Sequence, residues 1–292
     1  MKKSPTWLLD FKSDVYSQTG EDGIIEKILE ILPARDKWCV EFGAWDGKYL
    51  SNTRNLIDHK QYSAVLIEGS TAKFPELKSN FASNPNVYPI NQFVGFDSKS
   101  NLDTILKDIP IPKDFDLLSI DIDGNDYHVW KAMSVYQPKL VVIEFNPTMS
   151  NELAFVQKAD GNVNQGCSLA ALVPLAKEKG YELVSVLPWN AFFIRKELFP
   201  LFEISDNRPE TLRTDNSLVT HMFVGFDGYV SLQGSKRMPW HDMTMDEKNF
   251  QPVPGFLRKH PPLYNKFQKL MFLSFYHPRK LVKEVKRMVG IK

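Results

Sequence analysis

An α/β fold of parallel strand–helix units is what this sequence predicts, and three observations predict it. Short apolar runs that end in an acid recur along the first half of the chain: WCVE (38–41), AVLIE (64–68), DLLSIDI (116–122) and KLVVIEF (139–145). Between them the apolar residues fall three and four apart, the period of a helix. The 292 residues show no internal repeat, and their 43% apolar content is enough for one sizeable core. Strands alternating with helices imply a parallel sheet whose working residues collect at the carboxyl ends of the strands.

The elements follow in order. In YSQTGEDGIIEKILEIL, Ile24, Ile25, Ile28, Leu29 and Leu32 share a face, predicting a helix over 17–32. Thr19 with Asp22 three residues on resembles a capping box, and Pro33 stops the helix. The strand from Trp38 leads into the turn FGAWDG and residues able to open a helix. The strand from Ala64 ends at Glu68, and Phe74, Leu77 and Phe81 form a helical core stripe. A strand over Val87 to Val94 passes through Gly95 and Asp97 into a helix marked by Leu102, Ile105, Leu106 and Ile109, closed by Pro110 and Pro112. After the strand that ends near Glu144, residues 147–167 are polar and aperiodic, as a lid would be. A helix over Ser168–Lys179 is closed by Gly180. Two β-rich runs around Pro188–Asn190 then read as a hairpin, so the sheet ends antiparallel. A further pair, Leu218–Val224 and Tyr229–Leu232, flanks a glycine turn. The division expected is a main domain over 1–233 and an extension over 234–292.

Composition narrows the class. MKKSPTWLLDF lacks the apolar stretch of a signal peptide, and no run approaches the roughly eighteen apolar residues of a membrane span. Cys39 and Cys167 are too few and too isolated for a metal knuckle or a disulfide framework. A reduced, cytoplasmic protein is expected. The formal charge of +1 hides an asymmetry: residues 256–292 hold ten Lys/Arg against Glu284 alone, so a mildly acidic body carries a basic tail.

The first turn reads as a nucleoside site. Small residues let a ligand approach the backbone, the next helix offers free N–H groups, and Glu68 suits the two hydroxyls of a ribose. A dinucleotide turn wants a third glycine for its pyrophosphate, and GAWDG lacks it. S-adenosylmethionine, which has no phosphate, tolerates such a turn flanked by acids.

Taken together, SQTGED (17–22), VEFGAWDGKYLSNT (40–53), LIEGS (66–70), LLSIDIDGNDYHVWKAM (117–133), VVIEFNP (141–147) and GYELVSVLPWNAFFIRK (180–196) resemble the FkbM-type methyltransferases, a branch of the class I S-adenosylmethionine-dependent enzymes. The resemblance stops near residue 233. It implies a Rossmann-like three-layer sandwich with a seven-stranded sheet of order 3-2-1-4-5-7-6, its last strand antiparallel, and O-methylation of a sugar or related hydroxyl. It further implies a cofactor set of Gln18, Asp22, Glu41, Gly43, Ala44, Asp46, Gly47, Asn52, Thr53, Glu68, Gly69, Ser70, Asp97 and Asp121. Within it, SQTGED approaches the methionine end, Glu68 holds the ribose, Asp97 lies near the adenine, and Asp121 faces cofactor or acceptor. For Gln18 and Asp22, plain helix capping remains an equal reading.

A sugar hydroxyl needs a base within hydrogen-bond reach. Candidates are Asp123 first, then His128 and Glu144, with Asp126 in the same cluster; crowded acids raise one another's pKa and leave one poised as a base. Asp126 as a helix cap, His128 on the solvent side and Glu144 bonded to backbone N–H groups are the structural alternatives. A divalent metal is compatible with the acids but disfavoured, because the fifth strand ends in EFNP where a second Asp pair is wanted. The rival reading is a glycosyltransferase that uses Asp121 and Asp123 as a DxD metal and nucleotide-sugar site. Trp45, Trp130, Trp189 and Trp240 are available to stack on sugar faces.

In the tail, Leu281, Val282, Val285, Met288 and Val289 share a helical face opposite Arg279, Lys280, Lys283, Lys286 and Arg287. Over 263–289 this basic amphipathic pattern suits an anionic membrane surface, and through it a lipid-linked glycan; packing on the body or a partner chain is the alternative. Nucleic acid is not expected. The acceptor, the hydroxyl and the oligomeric state are not legible.

Overall fold

The computed structural model describes residues 3–288. The chain divides after Asn216 into two compact units.

In the first unit, α1 (Glu21–Ile31) precedes β1 (Trp38–Phe42), α2 (Arg54–Lys60), β2 (Ser63–Glu68), α3 (Phe74–Asn80), β3 (Val87–Asn91), α4 (Leu102–Leu106), β4 (Leu117–Ile120) and α5 (Asp126–Ala132). Then come β5 (Leu140–Glu144), α6 (Leu169–Glu178), β6 (Tyr181–Val186), β7 (Asn190–Arg195) and α7 (Pro209–Leu212). The seven strands form one sheet in the order β3-β2-β1-β4-β5-β7-β6, as expected. β3, β2, β1, β4 and β5 are mutually parallel, and β7 runs antiparallel between β5 and β6. The inner strands β1, β4 and β5 are buried almost throughout, which is why their sequences read as continuous apolar runs. Pro89 sits in β3 at the sheet edge, where a missing N–H costs no ladder bond. That strand stops at Asn91, short of the Val94 expected.

The start of α1 differs from the capping box. Its N-cap is Gly20, at φ 109, with no side-chain cap. Glu21 and Asp22 instead reach back to the loop: Glu21 Oε2 accepts from the Gln18 and Thr19 N–H groups, and Asp22 Oδ2 from those of Val15, Tyr16 and Ser17. Five backbone donors in a tight loop outweigh the one cap bond that Thr19 could offer.

The second unit starts at Ser217, ahead of the extension expected from residue 234. The hairpin expected to finish the main domain, β8 (Thr220–Val224) with β9 (Val230–Gly234), forms its own two-stranded sheet beyond the division. It is followed by a short ladder of β10 (Arg237–Met238) on β11 (Met243–Thr244), then α8 (Lys266–Tyr276) and α9 (Pro278–Met288). α8 opens with a true capping box between Asn265 and Gln268. Val289, placed by the pattern on the apolar face of α9, lies outside the described residues. Among the described residues, no helix is long and apolar enough to cross a membrane.

Candidate active site

β1, β2, β4 and β5 deliver their terminal acids to one edge of the sheet, at the carboxyl ends of the parallel strands. Two of these acids build the turn after β1. Glu41 is buried, and its carboxylate accepts from Ser51 Oγ (2.6 Å), the Asn52 N–H (2.8 Å) and Thr53 Oγ1 (2.6 Å). Burial pushes its pKa up, against those bonds and with the Asp22 charge adding to the rise. Asn52 and Thr53, expected at the cofactor, spend their side chains inward, with Asn52 Nδ2 donating to Ser119 Oγ on β4. Glu68 takes the Trp45 N–H on Oε2 (2.8 Å) and the Ser70 N–H on Oε1 (2.6 Å), so it fixes the turn while each oxygen keeps a lone pair. Gly43, at φ 76, lies against the Asp121 carbonyl, and a Cβ there would stand 1.7 Å from that oxygen. At Gly47 the neighbours are the Phe81 and Leu77 side chains, and at Gly69 the ring of Phe93. Ala44 is buried beneath the turn.

Three expected site acids turn out to serve the backbone. Asp46 Oδ1 accepts from the Lys48 and Tyr49 N–H groups, and Asp97 Oδ1 from those of Lys99 and Ser100, which holds the exposed Asp97 carboxyl below the usual range. Asp126 is buried at the first residue of α5 and takes the Ile122 N–H on Oδ1 and the Gly124 N–H on Oδ2. Both oxygens thus brace the loop before α5, the capping role that was the structural alternative for Asp126.

The remaining acids converge. Carboxylate oxygens of Asp121, Asp123 and Glu144 lie within 4.8 Å of one another. Glu144 therefore occupies the place that EFNP left in question, although Asn146 turns away to bond the Gln165 carbonyl and Thr148. Burial first, and then the neighbouring acids, push Asp121 up to about 8 and Glu144 well above its ordinary value. Burial and the crowded acids favour the protonated form of Glu144, which shares a hydrogen bond with Asp121. Asp123 is exposed at the rim in a left-handed conformation, φ 55. His128 faces inward rather than to solvent: Nε2 lies 2.8 Å from the Gln157 carbonyl, and the ring packs on Phe96. Because a carbonyl can only accept, Nε2 carries the hydrogen and Nδ1 is the basic nitrogen of the neutral ring.

Gln157 and Arg213, which the sequence reading missed, hold the 147–167 loop. Gln157 is buried; its Nε2 donates to Asn125 Oδ1 and the Val163 carbonyl, and its Oε1 accepts from the Gln165 and Gly166 N–H groups. Asn164 Nδ2 donates to the Asp123 carbonyl. Arg213 donates to the Pro147 and Met149 carbonyls and Asn151 Oδ1, with its guanidinium over the Phe145 ring. Gln157→Ala is expected to cost about 2–3 kcal/mol, because it strands two loop N–H groups and a carbonyl; chemical denaturation measures it. Both residues are single polar positions in aperiodic stretches, and nothing in their local sequence marks them.

A third missed residue is Asn190, the register partner of Glu144. It is buried, its Nδ2 donates to Glu21 Oε1, and its Oδ1 has no partner. Asp22 Oδ1 is likewise buried without a partner. Gln18 is exposed beside them in the chain. Trp130 is fully buried against Tyr181 and Phe193 and drops out as a sugar platform, whereas Trp45 is 47% exposed on the glycine turn. A cavity of about 420 Å³ lies elsewhere, at the amino ends of β1 and β2 between Leu29, Arg35, Leu56 and Tyr62.

Sheet order, the acid-pinned turn and the acids at four strand ends define the class: a Rossmann-like class I methyltransferase fold. Within it, residues 97–183 match the family described as Methyltransferase FkbM domain. No curated protein matches. Solved structures that resemble the chain include the N-terminal domain of EvdMO1 with SAH bound, at 11% identity over 61% of this chain and 82% of that one, TM-score 0.40. A putative caffeoyl-CoA O-methyltransferase from Staphylococcus aureus shows 16% identity over 66% and 92%, TM-score 0.41. A SAM-dependent methyltransferase from Methanosarcina mazei shows 12% over 58% and 96%, TM-score 0.37. At these scores they add nothing to what the sheet order and the family match establish. The glycosyltransferase reading of Asp121 and Asp123 is left without support by both.

Proposed function

We propose that this protein transfers a methyl group from S-adenosylmethionine to a hydroxyl of a sugar or glycan. What carries the cofactor is two buried acceptors without donors: Asp22 Oδ1, whose charge acts on Glu41 of β1, and Asn190 Oδ1, on the register partner of Glu144 of β5. A cationic amine supplies the donors both lack, and the surrounding carboxylates suit a positive charge. Glu68 at the end of β2 has lone pairs for ribose hydroxyls, while Gly43 and Gly47 keep the turn's surface low. When bound, the cofactor supplies an electrophilic methyl on a cationic sulfur.

The chain's own work is positioning and proton handling. Asp123, at the rim, takes the acceptor's hydroxyl proton on its carboxylate as the oxygen attacks, at an approach distance of about 3 Å. His128 Nδ1 is the second base within the same segment. Glu144 and Asp121 share a hydrogen bond at the ends of β5 and β4, beside the transfer. Support for a sugar comes from Trp45, whose half-exposed indole has Lys73 Nζ over one face at 4.7 Å and presents the other beside the turn.

Calorimetric titration with S-adenosylhomocysteine tests the reading. Binding is expected, and Glu68→Ala is expected to weaken it about tenfold or more, losing both ribose contacts and the anchor of Trp45. No binding by folded protein, or metal-dependent binding of UDP-sugars in its place, sinks the proposal.

A further inference from the structure

We infer that the second unit is a docking surface for an anionic lipid bilayer, made by α9, α8 and the tip of the β8–β9 hairpin. The inference stands on that unit alone and is independent of the methyl-transfer reading.

α9 is sharply two-sided. At 100° per residue, Leu281, Val282 and Val285 lie within one arc, and Arg279, Lys280, Lys283, Lys286 and Arg287 occupy the rest. Two of the three apolar side chains are open: Val282 is 55% exposed and Val285 also lies in solvent, while Leu281 is half-buried. The one acid of the helix, Glu284, is neutralised by Lys269 of α8 at 3.5 Å. Among the described residues that is the single ion pair on these two helices, so the five basic side chains of α9 carry their charge unopposed.

α8 repeats the pattern. It buries Leu273 and leaves Phe267, Leu270 and Phe275 in solvent. In the hairpin, Met222, Phe223 and Val224 of β8 are exposed on both faces of the ribbon, and Phe226 at its turn is 91% exposed. The Phe226 ring lies 6.2 Å from that of His260, which places the tip beside the segment that leads through exposed Leu263 into α8.

Charge selects the occupant. Large apolar side chains left in water in a unit with thirteen Lys/Arg and five acids, ten and one of them from residue 256 on, need a partner that is both greasy and negative. A second copy would bring two surfaces of the same strong positive charge together. Nucleic acid would neutralise the lysines and leave the phenylalanines and valines in water. An anionic bilayer does both: its headgroups meet the basic arc, and the apolar side chains enter the acyl boundary.

Flotation of the full-length protein tests this with vesicles of phosphatidylcholine alone and of phosphatidylcholine mixed with phosphatidylglycerol. The protein is expected to float with the mixed vesicles only. Lys283→Gln with Lys286→Gln is expected to weaken binding roughly thirty-fold, from about 1 kcal/mol per basic residue. Val282→Ser with Val285→Ser keeps every charge and is expected to weaken it about tenfold or more. All four side chains are exposed, so circular dichroism and melting should be unchanged. Absence of flotation overturns the inference, as does a serine variant that floats like the parent. A dimer that the serine variant dissociates, in protein that ignores vesicles, assigns the face to a second copy.

Discussion

Gly43→Ala is expected to cost about 3 kcal/mol or more and to remove binding of S-adenosylhomocysteine. Two effects add. The residue sits at φ 76, where a side chain costs roughly 1–2 kcal/mol. Its Cβ would also stand 1.7 Å from the Asp121 carbonyl oxygen, a backbone atom on a buried strand end that cannot swing aside. Relief requires β1 and β4 to part at the point where they hold the turn and the acids. Gly47→Ala, also at positive φ, meets side-chain atoms of Phe81 and Leu77 instead and should cost less. Thermal melting and calorimetry of both variants check the order; a Gly43→Ala protein that melts and binds like the parent removes the close approach from the account.

The Asp121–Glu144 pair should make the fold less stable as pH rises. Both carboxyls titrate above their unfolded values, Asp121 near 8 against 3.8, so over that window the folded chain binds more protons than the unfolded one. Stability contributed by the protonated pair is fully present near pH 4 and falls as pH climbs toward 8. The shift of Asp121 sets a ceiling of about 6 kcal/mol, and partial exposure of both groups reduces the expected loss to about 2 kcal/mol. Asp121→Asn and Glu144→Gln remove the titrations with little change of shape. Each should match the parent near pH 4 and exceed it by about 2 kcal/mol at pH 8 in denaturant titrations. Equal stability of parent and variants at both pH values would falsify the pairing.

The sheet was legible because β1, β2, β4 and β5 are buried on both faces and so are written as unbroken apolar runs closed by acids. The hairpin β6–β7 was legible from its turn residues. Which sheet a period-two pair joins is not written locally, and β8–β9, read as part of the main domain, forms a sheet of its own. At the site, an acid at a turn reads the same whether it faces a ligand or the nearest N–H. Asp46, Asp97 and Asp126 chose the N–H because their own loops put donors within reach, and Glu41 was claimed by Ser51, Asn52 and Thr53. Gln157, Asn190 and Arg213 gain their importance from partners far away in sequence, such as Asn125, Glu21 and Pro147, and no spacing rule encodes those pairs.

Arg213 also bears on how short a functional version of the chain can be. It lies beyond every strand of the large sheet and three residues before the division between the units, yet it is buried and bonded to three partners at the root of the 147–167 loop. Trimming the chain at the end of β7, where the sheet is already complete, would leave the Pro147 and Met149 carbonyls without their donor beside the acids. The boundary of the working unit is therefore set by one cation rather than by the last strand, and a minimal version has to run through it.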